Sequence, residues 1–156
     1  MTCLPIKSNQ FKAIICTHDT LNYANDLDEM HRIFAECSRI LQPGGLFIFD
    51  LATKENVLGN FADEVIEEQH GDLHLLWQNY YNQSIGSLKS TITFTSSSGE
   101  SMVEEHLQQI YSLPDLLPAI EKSGLELLYD CFDYSMADSM AESSQLQVAV
   151  CKRRPL

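Results

Sequence analysis

Positive charge is scarce in this chain: ten Lys and Arg stand against 22 Asp and Glu in 156 residues, a net charge of -12 at pH 7. Such a surface repels a nucleic-acid backbone or an anionic membrane, which excludes both as the main partner; solubility is the simplest meaning of the charge. Five cysteines, Cys3, Cys16, Cys37, Cys131 and Cys151, are scattered without a CxxC pair. Their spacing offers no zinc site, and an odd number of isolated thiols suits a reduced, cytoplasmic protein. Met1 to Gln10 has no long apolar core, so neither a signal peptide nor a membrane span is expected there. Repeats and low-complexity tracts are also missing. With 44% hydrophobic residues the chain is long enough to bury one core, and a single domain over 1–156 is the expectation.

The most informative stretch is LQPGGLFIFD, Leu41 to Asp50. Pro43 cannot continue a helix, and Gly44 and Gly45 accept positive φ, so a helix should end near Gln42 and turn. Leu46 to Phe49 then form an apolar run without alternation, as in a parallel strand covered on both faces. Upstream, Phe11 to Cys16 (FKAIIC) reads as a buried strand followed by a polar loop, THDTLNYAND. Asp26 with Glu29 three residues on forms an N-cap signal. Met30, Ile33, Phe34, Cys37, Ile40 and Leu41 follow at helical spacing. Strand, helix and strand make a βαβ crossover with parallel strands. The carboxyl ends of both strands share one edge, where open α/β sheets bind ligands. That edge collects His18, Asp19, Asn22 and Tyr23 from the first loop and Asp50 and Thr53 from the second.

Thr53 to Phe61 suits a short helix with Val57, Leu58 and Phe61 on its apolar side. From Glu64 to Tyr111 the pattern is strand-like. Leu73, Leu75, Trp77 and Tyr81 share one parity, Ile92 and Phe94 alternate with threonines, and turn signals divide the stretch into about four runs. An antiparallel β insert over 62–111 is expected. Leu113 to Ser123 reads as a helix stopped by Gly124, starting as late as Asp115 so that Pro118 falls in its first turn. Leu125 to Phe132 and Leu146 to Cys151 read as a final antiparallel pair, with a polar loop over Ser135 to Ser144 between them and a basic tail from Lys152 to Arg154.

These segments together resemble the class I S-adenosylmethionine (SAM)-dependent methyltransferases, specifically small bacterial members with an antiparallel insert. The residues that carry the resemblance are FKAIIC-THDTLNY, LQPGGLFIFD, EEHLQQIYS, SGLELLYD and LQVAVCKR. The resemblance implies an α/β fold, a partial Rossmann-like methyltransferase sheet limited to its carboxyl-terminal half, because no GxGxG loop for the cofactor's amino-acid end and no ribose acid is found. It also implies SAM as cofactor and a small-molecule acceptor, with this chain as the substrate-side half of the enzyme. The first strand, Phe11 to Cys16, would then be an open apolar edge covered by a second copy or a separate amino-terminal half. The rival expectation is a non-catalytic dimerising or binding module that keeps the half-fold and does not bind SAM. A helical Glu64–Tyr111 would leave only a generic βαβ unit.

By the same resemblance His18, Asp50 and His106 are candidate catalytic residues. Asp19, Asn22 and Tyr23 are candidates for the cofactor's methionine and methyl end, and Trp77, Tyr80 and Tyr111 for the acceptor pocket. Each has a plainer alternative. Asp19 and Asn22 can cap the loop, Tyr23 can anchor the core, His18 can be an exposed loop histidine, Asp50 can bond a loop, and the aromatics can be sheet packing. Gln109 stands where an arginine would be expected, which removes an anion contact. Cys16 is expected to be buried and inert. No metal ligands are expected.

Overall fold

The structure, a computed structural model, describes residues 2–135 and 145–155. Its first unit is the expected crossover: β1 (Phe11–Cys16), a 3-10 turn (Thr20–Tyr23), α1 (Leu27–Ile40) and β2 (Leu41–Ala52). Asp26 caps α1, its Oδ1 accepting the Glu29 N–H at 2.6 Å, while Asp28 and Glu29 in the first turn and Arg39 in the last complement the helix dipole. Met30, Ile33, Phe34, Cys37 and Ile40 form the buried stripe that the spacing foretold.

The end of α1 differs from expectation. The helix stops at Ile40 rather than near Gln42, and Leu41 to Gly45 begin β2 as an irregular stretch instead of a free turn. Pairing runs Phe11 to Leu41 and resumes at Ala13 to Leu46, so the extra residues are absorbed as a bulge on β2. Gly44 takes φ 79° within it. Gly45 is required by space: a Cβ there would stand 2.9 Å from the Gln42 carbonyl oxygen and 3.0 Å from that of Lys12.

After β2 come α2 (Lys54–Asn60) and the strands β3 (Val65–His70), β4 (Leu73–Asn82), β5 (Ser87–Ser96) and β6 (Ser101–Gln109). Then follow α3 (Leu113–Lys122), β7 (Leu125–Phe132) and β8 (Leu146–Arg153). One sheet has the order β1-β2-β8-β7, with β1 and β2 parallel and the other pairs antiparallel. The second is the antiparallel meander β3-β4-β5-β6, the expected insert.

The main core lies on one face of the first sheet, where Phe47 and Phe49 meet Phe34 of α1 at ring-centroid distances of 6.2 and 5.5 Å and α3 adds Leu116 and Ile120. The opposite face is not covered in the way the apolar run of β2 suggested. Cross-strand neighbours Ile15, Ile48, Val150 and Tyr129 form a row on it, with Ile15 66% exposed. A smaller cluster of Ala52, Val57, Tyr81 and Leu88 joins α2 to the insert. Leu58, expected on the apolar side of α2, is exposed.

Two further expectations need correction. Helix α3 starts at Leu113, with Pro114 in its first turn and Pro118 inside the helix. Burial of Leu113, Leu116 and Ile120 outweighs the missing Pro118 N–H, and the proline ring itself faces solvent. Lys152 and Arg153 are part of β8 rather than a tail, and the Arg153 guanidinium donates to the Leu41 carbonyl and to Asn9. The polar loop expected to end at Ser144 lies, from residue 136 on, outside the described residues.

Gly45→Ala is expected to destabilise the fold by about 2 kcal/mol through overpacking against backbone carbonyls. Gly59→Ala in α2, where an added Cβ meets nothing within 4 Å, should leave stability unchanged or raise it by about 0.5 kcal/mol. Urea denaturation of the two variants beside the parent checks the contrast.

Candidate functional site

The site begins where β1 ends. His18 and Asp19 both occupy the left-handed region, at φ 59° and 48°, a conformation that costs a side-chain-bearing residue about 1 kcal/mol or more. The Asp50 carboxylate holds them there. It has no solvent exposure; Oδ2 accepts the His18 N–H at 2.9 Å and Oδ1 the Asp19 N–H at 2.6 Å, and the Tyr134 hydroxyl donates to Oδ2 as well. Asp50 therefore clamps the loop after β1, and both of its oxygens are engaged by protein donors.

Asn22 acts in the same way one turn on. Fully buried, it donates from Nδ2 to the Gln109 carbonyl at 2.7 Å and accepts at Oδ1 from the Ala52 N–H at 3.0 Å. It thus ties the 3-10 turn to the ends of β6 and β2. These are the bonds that the loop-fixing alternative calls for.

The cleft these ties create has a volume of about 330 Å³ and lies between the β1 loop, α2, the insert and Gln145–Leu146. His18, Asp19, Tyr23 and Trp77 line it, as do Val57, Phe61, Leu88, Ser90 and Gln108. Asp19 Oδ2 accepts from Gln108 Nε2 at 2.9 Å. Burial pushes its carboxyl above the usual range, with Asp50 adding to the rise, while Gln108 and then His18 act in the opposite sense. The Tyr23 hydroxyl is 3.0 Å from His106 Nδ1, with the two rings edge-on at 5.9 Å, and burial, then Asp19, raises the phenol's pKa. His106 Nε2 in turn lies 3.5 Å from Glu104 Oε2, and His106 lines a small annex of the cleft with Tyr23 and Trp77. Trp77 is oriented from behind: its Nε1–H donates to Asn79 Oδ1 at 2.8 Å, and the Ser90 hydroxyl donates to the same oxygen at 2.6 Å.

Tyr80 and Tyr111 are not brought to this cleft. Tyr80 falls between inward-facing Asn79 and Tyr81 on β4, so strand alternation turns it to the far side of the insert, where it is 60% exposed. Tyr111 donates its hydroxyl to the Ala24 carbonyl at 2.7 Å, its pKa pushed up to about 12 by burial, and it lines a separate cavity beside Thr53 and Asp115. Gln108 is the residue that sequence reasoning passed over. It sits two positions after His106 on the same face of β6, so the alternation that placed His106 would have found it. Cys16 has its thiol pushed up by burial and then by Asp50, in keeping with an inert role.

Two sheets joined in this order, with a cleft at the carboxyl edge of the first, also occur in known proteins. A family model described as a methyltransferase domain matches residues 1–49. A Clostridium acetobutylicum S-adenosylmethionine-dependent methyltransferase superposes with a TM-score of 0.84 at 22% identity, over 99% of this chain and 62% of that one. The chain has the fold of the corresponding part of that SAM-dependent methyltransferase. The CcbJ methyltransferase of Streptomyces caelestis shares this methyltransferase fold with a TM-score of 0.80 at 16% identity, covering 99% of this chain and 61% of its own. In sequence the chain is similar to the putative methyltransferase YqeM of Bacillus subtilis, 24% identical over 140 residues. That alignment covers 88% of this chain and 57% of YqeM, so the chain spans somewhat more than half the length of these methyltransferases.

Asn22→Ala should cost about 2–4 kcal/mol, because it strands a buried N–H and a buried carbonyl. Tyr80→Ala, on the outer face of the insert, should stay within about 0.5 kcal/mol of the parent. Thermal and urea unfolding followed by circular dichroism measure both.

Proposed function

We propose that this chain forms the acceptor side of a SAM-dependent methyl transfer to a small molecule, acting in the cytoplasm. The observation that carries the reading is the cleft itself: a concave, largely apolar space at the carboxyl edge of a methyltransferase-type sheet, closed on one side by the insert. Direct methyl transfer depends on holding donor and acceptor in line, so a positioned cleft matters more than a strong base. Among the residues first assigned to the cofactor, Tyr23 fits best, since its ring lines the cleft and an aromatic face favours a sulfonium cation. SAM, when bound, supplies the electrophilic methyl group. Tyr23 would hold that end, and Trp77 with the apolar wall of Val57, Phe61 and Leu88 would exclude water around the acceptor. No helix among the described residues is long and apolar enough to cross a membrane, and the free cysteines suit a reducing compartment.

The half-sheet supports a second element of the proposal. β1 is an edge strand with Phe11 42% and Ile15 66% exposed, and the row Ile15, Ile48, Val150 and Tyr129 continues that apolar surface across the sheet. A second copy, or a separately supplied amino-terminal half carrying the glycine-rich loop, would pair with β1 and cover this face. The same exposed edge favours the rival reading, a non-catalytic module that uses it for association alone. Light scattering and calorimetry separate the outcomes. A dimer or larger assembly is expected, and a monodisperse monomer contradicts the covered edge. Saturable micromolar binding of SAM by the assembled protein supports the methyltransferase reading, whereas an assembly that gives no heat with SAM supports the module.

A further inference from the structure

The cleft has one carboxylate in its lining, with His18 beside it, and Lys54 at the start of α2 faces the neighbouring cavity next to Thr53 and Asp115. Among the described residues, Asp19 is the carboxylate that lines it, and neither Lys nor Arg does. The insert, residues 62–111, contains a single Lys or Arg, Lys89, against eight Asp and Glu. Lys89 is paired with Glu105 at 2.6 Å, and strand alternation places both on the face opposite Trp77 and His106. Lys152 and Arg153 sit beside Leu46 and Leu41, towards the start of β2, whereas the cleft opens at Ala52 where that strand ends. A carboxylate between apolar walls, with no Lys or Arg in the lining, focuses its field and draws in ligands of the opposite sign.

Asp19 is also short of partners. Among the described residues its side chain accepts one hydrogen bond, from Gln108 to Oδ2, and Oδ1 accepts none. Gln108 belongs to the insert, so the carboxylate is directed across the cleft towards the acceptor side. Two aromatic rings, Tyr23 and Trp77, line the same space. A partly desolvated carboxylate beside aromatic faces and aliphatic walls matches an organic ammonium group on an apolar body, and it repels a carboxylate or phosphate.

We propose that the cleft selects an organic amine as its ligand, with Asp19 as the residue that determines this specificity. The inference rests on reading the cleft as the acceptor site. Asp19 receives the ammonium as the amine enters, and Trp77 with Val57, Phe61 and Leu88 flanks its apolar part. The raised carboxyl pKa accords with this, since a cation at Asp19 would supply the compensation that burial removes.

Trp77 is the sole tryptophan, so intrinsic tryptophan fluorescence reports on the cleft directly. The test titrates the protein at a pH of about 8 with three isosteric probes that differ in charge: benzylamine, benzyl alcohol and benzoate. The expected result is a saturable change in Trp77 emission with benzylamine at a Kd at least tenfold below that of benzyl alcohol, and no binding of benzoate. In Asp19→Asn, benzylamine should weaken to the level of the alcohol, while the alcohol itself is unchanged. Benzoate binding as tightly as the amine overturns the proposal, and so does an amine preference that survives Asp19→Asn. If that variant fails to fold, the ranking of the three probes on the parent protein still decides. Amine binding by an assembled protein that gives no heat with SAM would remove the enzymatic reading and leave the cation site standing. Methyl transfer confined to carboxylic acids would remove the amine and leave the enzyme.

Discussion

The carboxylate of Asp50 is the constraint on which the site depends. It is buried at the carboxyl end of the central strand of a small sheet, and it accepts two backbone N–H groups and a tyrosine hydroxyl. Burying a carboxylate costs several kcal/mol unless such bonds replace its water. Here they do so and in return hold two successive residues in the left-handed region. The clamp acts together with two bonds inside the turn, the Thr20 hydroxyl donating to the Thr17 carbonyl at 2.7 Å and the Asn22 N–H to the Asp19 carbonyl at 2.9 Å. The position of Tyr23 beside His106, and of Asp19 beside Gln108, follows from the same turn.

Asn22 extends the constraint to the second sheet. Its two hydrogen bonds reach the last residues of β2 and β6, so the βαβ unit and the insert meet at a side chain that belongs to neither sheet. The cleft is the space left beside this junction. Its walls come from packing, through Val57 and Leu88, and its polar rim comes from the loop that Asp50 and Asn22 hold. Charge follows the same division. Arg153 is bonded to the backbone at the start of β2, while the acidic insert overhangs the end. An acidic surface that reads as mere solubility in the composition thus has a local meaning at one edge of the sheet.

Much of the architecture was legible in the sequence because it rests on periodicity and capping. Asp26 and Glu29 marked the start of α1, the alternation of Ile92 and Phe94 with threonines marked β5, and Gly124 marked the stop after α3. The misreadings share a physical cause, since each depends on what lies across space. Pro43 suggested a turn, but pairing with β1 recruits Leu41 to Gly45 into a bulged strand. Pro118 suggested a late helix start, but buried leucines hold the helix through it. Leu46 to Phe49 looked doubly covered, and one of the two faces is open. At the site, position was more legible than hydrogen bonding. Asp50 and Asn22 stand at the edge as expected, and their hydrogen bonds go to backbone groups and, for Asp50, also to the Tyr134 hydroxyl. Tyr80 failed on strand parity alone, and Gln108 was missed although parity points to it.

The central claim is that Asp50 holds the β1 loop and thereby the cleft. Amide hydrogen exchange of His18 and Asp19 in Asp50→Asn tests it most directly, because an amide side chain offers one accepting oxygen in place of two. Exchange at these two amides should accelerate at least tenfold relative to the parent protein, while amides in the middle of β2 and in α1 keep their protection. Unchanged exchange at both residues, in a variant that remains folded, would contradict the account.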